Sequence, residues 1–220
     1  MKSVHKEYGL KGIKVHALKN ITLNVNDGDF VCIVGPSGSG KTTLLNLMGC
    51  LDTPTSGEVY IQGKPTHNMS NGELTRVRGE CIGFVFQTFN LIPRITALRN
   101  VMLPMTFVRK FRKSEWRRRA EKLLSGVGLT QRMYHKPLEM SGGEMQRVAI
   151  ARALANDPLV ILADEPTGNL DSKTGKEIME LFNDLNKQGK TLIVVSHDPM
   201  VASYARKTIK LEDGEIIGGG

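Results

Sequence analysis

Aromatic residues make up only 5% of this 220-residue chain, and it holds just three cysteines, Cys32, Cys50 and Cys81. An odd number of thiols, with neither a Cys-x-x-Cys pair nor Cys/His ligand spacing, argues against a disulfide framework and a zinc site. Reduced, mostly buried thiols are expected instead. His5, His16, His67 and His135 have no ligand partners at metal spacing and read as surface or core residues. No uncharged apolar run reaches the ~18 residues needed to cross a bilayer, and the start, Met1-Lys-Ser-Val-His-Lys-Glu-Tyr-Gly9, lacks the apolar block of a signal peptide. The chain is therefore expected in the cytosol. Internal repeats and long linkers are also missing, and a chain of this length can bury about 70% of its surface, enough for one core without staples. Positive charge is what the sequence has in excess: 30 Lys and Arg against 22 Asp and Glu leave a net +8. That balance suggests an anionic partner, whether nucleotide, nucleic acid or membrane surface.

The character of the sequence changes twice along the chain. Residues 1–90 and 159–217 read as strands punctuated by turns. Ile21 to Val25 alternates as a half-buried strand, Phe30 to Val34 is a short apolar run, and Glu58 to Ile61 and Ile82 to Phe86 are strand-like. Leu159 to Ala163 and Thr191 to Val195 are apolar runs separated by a helix over about Ser172 to Lys187, which Gly189 terminates. That pattern predicts buried parallel strands joined by a crossover helix. Asp213-Gly214 between Thr208 to Leu211 and Glu215 to Ile217 predicts a hairpin, and the closing glycines read as an unstructured end. Over about 91–140 helical periodicity takes over, with Thr96 and Ser114 as N-caps, an arginine-rich helix over Glu115 to Ser125, and Trp116 packed within the lobe. The predicted organisation is α/β: a core of residues 1–90 and 141–220 whose mixed sheet has an antiparallel part on the N-terminal side, with an inserted helical lobe at 91–140. Residues 109–122 hold eight basic and two acidic residues. They read as a solvated helix face, with contact to anionic lipid or nucleic acid as the alternative.

The most informative segment is Gly35-Pro-Ser-Gly-Ser-Gly-Lys-Thr42. It fits the phosphate-loop pattern G-x-x-x-x-G-K-[ST], directly after an apolar strand and before the helical run Thr43 to Met48. Glycines at 35, 38 and 40 permit backbone geometry that a Cβ would block, so that successive N–H groups converge on phosphate oxygens. The helix behind adds its positive end. The nucleotide contacts expected here are Gly35, Ser37, Gly38, Ser39, Gly40, Lys41, Thr42 and Thr43. Lys41 is expected to neutralise the β- and γ-phosphates, and the Thr42 hydroxyl to ligate Mg²⁺. A second anchor is Val160-Ile-Leu-Ala-Asp-Glu165. An apolar strand ending in Asp164 sets a carboxylate at the sheet edge for Mg²⁺ or its water, and Glu165 stands next to it as a general base. His197 follows the apolar strand Leu192 to Val195, beside the same edge.

Met140-Ser-Gly-Gly-Glu-Met-Gln-Arg147 narrows the choice. Here the chain resembles the ATP-binding cassette family, whose signature Leu-Ser-Gly-Gly-Gln is matched by Met140-Ser141-Gly142-Gly143-Glu144. Gln87 looks like the Q-loop residue, Gly168-Asn-Leu-Asp171 like the D-loop, His197 like the switch histidine, and Tyr8 stands where the adenine-stacking aromatic lies. The resemblance covers residues 3–217 and is closer to LolD, MacB and FtsE cassettes. It implies an ATPase using ATP and Mg²⁺, with Glu165, His197, Lys41 and Gln87 catalytic, and with Thr42, Gln87 and Asp164 around the metal. Tyr8, Ser141, Gly142, Gly143 and Asp171 join the phosphate loop in holding nucleotide. It further implies a homodimer that drives an integral membrane permease exporting or extracting a lipoprotein, peptide or drug, peripheral on the inner face of the cell membrane and without nucleic acid. The alternative is an FtsE-like regulatory cassette that controls cell-wall hydrolases. The apolar side chains between Gln87 and Leu103 form either a groove for the permease or the lobe core. Met140 for Leu is a volume-conserving swap. Glu144 for Gln either sets a carboxylate near the neighbouring subunit's nucleotide or folds back onto its own helix as a capping box.

Overall fold

The computed structural model describes residues 1–10, 13–108 and 110–219. Lys11 and Gly12 in the first turn, Arg109 of the basic stretch, and Gly220 lie outside the described residues. The strands are β1 (Lys2–Leu10), β2 (Ile13–Ile21), β3 (Phe30–Val34), β4 (Ser56–Glu58), β5 (Tyr60–Ile61), β6 (Lys64–Pro65), β7 (Ile82–Phe86), β8 (Val160–Asp164), β9 (Thr191–Val195), β10 (Lys207–Glu212) and β11 (Glu215–Gly219). The helices are α1 (Lys41–Met48), α2 (Asn71–Cys81), α3 (Ala97–Val108), α4 (Lys113–Gly126), α5 (Gly142–Ala153), α6 (Ser172–Lys187) and α7 (Pro199–Ser203). A six-stranded sheet runs in the order β11-β10-β3-β9-β8-β7, parallel except for β11. An antiparallel sheet β2-β1-β4 stands on the N-terminal side, as the α/β reading expects.

Alternation along the central strands explains the layers. Phe30 and Cys32 point into one apolar cluster with α3, α5 and α6, while Val31 and Ile33 point into a second with α1. Ile161 and Leu162 divide the same way, as do Val194 and Val195. Strands covered on both faces must be apolar on both, which is why they read as continuous runs. The register then sets the site: Phe86 pairs with Asp164, Asp164 with Val195, and Val195 with Ile33. Gln87, Glu165, Ser196 and the phosphate loop therefore all leave the sheet at one carboxyl edge.

Several local expectations need correction. The alternating run Ile21 to Val25 is not a strand beyond Ile21; Ile21, Leu23 and Val25 alternate because they pack on the second cluster. Glu58 to Ile61 is broken at Val59, with β4 paired to β1 and β5 to β6. Ser114 does not cap α4. Arg112 is the N-cap, and its N–H donates to the Glu115 carboxylate at 3.0 Å. Gly218 and Gly219 are not unstructured: they pair with Lys210 and Ile209, since ladder hydrogen bonds need no side chain. Helix α2, begun by the Ser70/Glu73 capping box, lies in a stretch read as strands and turns. Thr96, by contrast, does cap α3, its hydroxyl accepting from Arg99 N–H at 3.3 Å.

Candidate functional site

The phosphate loop joins β3 to α1. Gly38 and Gly40 have φ of +81° and +100°, the left-handed region open to glycine. Gly35 is needed for a different reason: a Cβ there would lie 2.0 Å from the Leu211 carbonyl oxygen. Lys41 is buried, and its ammonium donates to the carbonyls of Gly35 and Pro36 at 2.8 and 2.7 Å. Among the described residues no carboxylate pairs with it. The Ser39 hydroxyl is buried without any partner. A buried cation with no carboxylate in direct contact, beside an orphaned hydroxyl, suits an anion. Tyr8, on β1, donates its hydroxyl to Asp52 at 2.7 Å and carries the Lys6 ammonium over its ring at 4.8 Å. With 36% of its surface exposed, the ring is a platform held in place by charge.

Thr42 donates its hydroxyl to Asp164 at 3.0 Å, so the first residues of α1 and the end of β8 meet. Burial pushes the Asp164 carboxyl up, the Thr42 hydrogen bond opposes this, and the neighbouring Glu165 charge adds to it. A hydroxyl and a carboxylate set side by side form a hard-oxygen pair fit for Mg²⁺, whose charge would relieve that burial. Glu165 itself sits at φ +44°, a strained conformation for a non-glycine residue. Its N–H donates to the Val195 carbonyl at 2.9 Å. One carboxylate oxygen meets His197 Nδ1 at 2.7 Å, and the other accepts from the fully buried Ser196 hydroxyl at 3.1 Å.

Gln87 lies just past β7. Asn169 donates to its carbonyl at 2.9 Å and faces its side-chain amide at 3.5 Å. Asp171 caps α6, accepting from Lys173 N–H, Thr174 N–H and the Thr174 hydroxyl. Its carboxylate is thus engaged in its own helix. Ser141 opens α5 with a reciprocal capping box: the Glu144 N–H donates to the Ser141 hydroxyl at 3.3 Å, and the Ser141 N–H to the Glu144 carboxylate at 2.8 Å. Glu144 therefore folds back. Gly143 must be glycine even without a ligand, because a Cβ would lie 2.4 Å from Thr174 Cγ2 on α6.

Three supporting residues escape a reading by motif. Ser196 steadies Glu165. Buried Gln146 donates to the Pro166 carbonyl at 2.7 Å, tying α5 to the residue after Glu165. Arg152 donates to the carbonyls of Phe89 and Asn90, consecutive residues at φ +59° and +49° just past Gln87. The available signal for Arg152 is a charge within Val148-Ala-Ile-Ala-Arg-Ala-Leu154, an apolar run in which a cation needs a specific acceptor. The basic stretch turns partly inward as well: Arg119 donates to Ala155 O at 2.6 Å and Lys110 to Asn156 O at 3.0 Å, at the negative end of α5. Leu98 and Val101 are buried in the cluster that α3 shares with the central sheet, and so line no groove. The open apolar groove lies nearby, between Leu51, Phe84, Leu103, Pro104 and Phe107.

Comparison with known proteins points the same way. The sequence profile of the ABC transporter family matches residues 18–168. An ABC transporter ATP-binding protein of Thermotoga maritima is 53% identical over 215 residues, 98% of this chain and 92% of its own. The macrolide export ATP-binding/permease protein MacB of Escherichia coli is 49% identical over 217 residues, 99% of this chain but 33% of that protein. Among solved structures, the ATP-binding cassette MJ0796 of Methanocaldococcus jannaschii, in a dimeric post-hydrolysis state bound to ADP and Pi, superposes with a TM-score of 0.92. It is 51% identical over 100% of this chain and 96% of its own.

Proposed function

Because the chain belongs to the ABC transporter family as an ATP-binding, ATP-hydrolysing cassette, we propose that two copies close head to tail over two ATP molecules to drive a membrane permease. Each nucleotide lies between the phosphate loop of one subunit and Ser141-Gly-Gly143 of the other. The observation that carries this reading is the convergence, at one sheet edge, of the uncompensated Lys41, the Thr42–Asp164 pair and the Glu165–His197 contact. Lys41 holds the β- and γ-phosphates, with the loop N–H groups around them. Thr42, Asp164 and Gln87 would hold Mg²⁺, which would supply neutralisation of charge on the phosphate oxygens. Glu165 takes the proton of the water that attacks the γ-phosphorus, and His197 faces the γ-phosphate and keeps that water in line. The bond to the ADP oxygen breaks as the new P–O bond forms. Tyr8 stacks on adenine, and Asp171 shapes the approach of the neighbouring subunit through the turn it caps.

No helix among the described residues is long and apolar enough to cross a membrane. In this reading the membrane role belongs to a permease of the kind the MacB relatives carry, with the cassette peripheral on the inner face of the cell membrane and no nucleic acid as partner. Residues 91–140 act as the lobe that carries the signature towards the neighbouring nucleotide, and the remainder as the ATP-binding core. The groove containing Phe107, 77% exposed, receives a short segment of the permease. The MacB relatives, named for macrolide export, support export as the work done, and a drug, peptide or lipoprotein is the cargo in this reading. The test separates binding from turnover. Lys41→Ala should abolish fluorescent-ATP binding, whereas Glu165→Gln should retain it and lose phosphate release by about 10²- to 10⁴-fold, the worth of a general base. Turnover of Glu165→Gln within about threefold of the parent would remove Glu165 from that role.

A further inference from the structure

The last position of the signature carries an acid. Glu144 is the third residue of α5, at the helix end that the reading above turns towards the neighbouring subunit's triphosphate. A free carboxylate there opposes the anion that the helix end attracts. The capping bond from the Ser141 N–H at 2.8 Å orients the carboxylate but leaves its charge in place. The second oxygen is met by a cation from another segment: Arg132 Nε lies 3.0 Å from Glu144 Oε1. Arg132 is held by the turn that bears it, its N–H donating to Leu129 O at 3.0 Å while its carbonyl accepts from His135 N–H at 3.1 Å. Among the described residues no other cation pairs with Glu144.

We propose that Arg132 is a positioning residue of the ATP-closed dimer, neutralising Glu144 and keeping its carboxylate folded onto α5 so that Ser141-Gly-Gly143 can face the partner's γ-phosphate. This inference rests on the head-to-tail reading. It makes Arg132 and Glu144 one unit, so that losing the cation matters only while the acid is present.

The experiment is a mutant cycle on the Glu165→Gln protein, with the dimer dissociation constant measured by sedimentation in saturating ATP. Arg132→Ala should weaken the dimer about fivefold, from one unneutralised carboxylate left beside each of the two triphosphates, a repulsion that the monomer does not feel. Arg132→Lys should stay within about twofold, because the charge remains. Arg132→Ala combined with Glu144→Gln should dimerise as well as Glu144→Gln alone. Fluorescent-ATP affinity of the monomer and the urea midpoint should be unchanged, and the deficit should close at about 0.5 M salt. A dimer unaffected by Arg132→Ala, or weakened equally with Glu or Gln at 144, overturns the pair alone. A Glu165→Gln parent that stays monomeric in ATP overturns the head-to-tail reading, and the pair with it. If Arg132→Ala fails to fold, the comparison rests on Arg132→Lys and Glu144→Gln, and a Glu144→Gln dimer weaker than the parent contradicts the proposal.

Discussion

Glu165 and His197 touch but differ sharply in environment, with 16% of the acid's side chain exposed and 73% of the histidine's. A sheltered, strained acid gripped from below by Ser196 is built to stay in place, whereas an exposed histidine can swing towards a phosphate. His197→Ala should therefore depress turnover by about 10²-fold while ADP affinity by titration calorimetry stays constant. Equal losses for ADP and ATP would make the histidine structural. Ser196→Ala should lower kcat by about tenfold at constant KM, because a loosened Glu165 misplaces the proton acceptor. A rise in KM without loss of kcat would instead assign Ser196 to binding. Lys41, Thr42, Asp164, Glu165 and His197 are legible in the sequence because each stands at a fixed offset from an apolar strand. Ser196, Gln146 and Arg152 are not, since their partners are carbonyls or side chains brought near only by the fold. Cys32 illustrates burial reinforced by charge: desolvation, aided by the nearby Glu165 carboxylate, pushes its thiol up to about 12, leaving it protonated and inert.

At the scale of elements, α5 joins more of the site than any motif suggests. Its first turn carries the signature, Gln146 reaches the residue after Glu165, and Arg152 grips the left-handed pair beyond Gln87. Arg152→Ala should cost about 1 kcal/mol by urea unfolding, since the partly buried Phe89 carbonyl and the exposed Asn90 carbonyl lose their donor. No change would show that the grip is incidental. The far end of α5 leads into a loop where Asp157 pairs with Lys190 at 2.7 Å. The Lys190 hydrogen bond holds the Asp157 carboxyl below its usual range, with burial in partial opposition. A depressed folded-state value stabilises above the unfolded value, near 3.8, and that stability is lost as pH falls through the folded one. Asp157→Asn should thus cost about 0.5 kcal/mol at neutral pH after allowance for solvent screening, and the cost should vanish once the pH has fallen through the folded-state value. A difference from the parent that persists at the acid end would contradict the ion-pair account. The buried parallel strands can be read from sequence because they are apolar on both faces. Helix α2 cannot be read from periodicity, having no fully buried residue to impose one. The break at Val59 is also hidden, since strands β4 and β5 belong to different sheets.

For the whole molecule, the net charge of +8 becomes intelligible in pairs. Two such subunits repel, while in the proposed head-to-tail dimer each Mg-ATP would bring about −2 to a place lined by Lys41 and two helix ends. The basic stretch contributes internally as well, through Arg119 and Lys110 at the end of α5, so the excess charge is only partly available to outside partners. Phe107 in the apolar groove should crosslink to the co-purifying membrane protein when replaced by cysteine, and no crosslink from that position would move the docking site elsewhere. The head-to-tail closure over ATP is the claim on which these expectations converge. It is tested most directly by size-exclusion chromatography of Glu165→Gln with ATP, with ADP and without nucleotide, alongside Ser141→Arg in the same background. The account predicts a dimer with ATP only, weakened by raised salt and abolished by Ser141→Arg. A monomer in all three conditions, or a dimer indifferent to nucleotide and to Ser141→Arg, would contradict it.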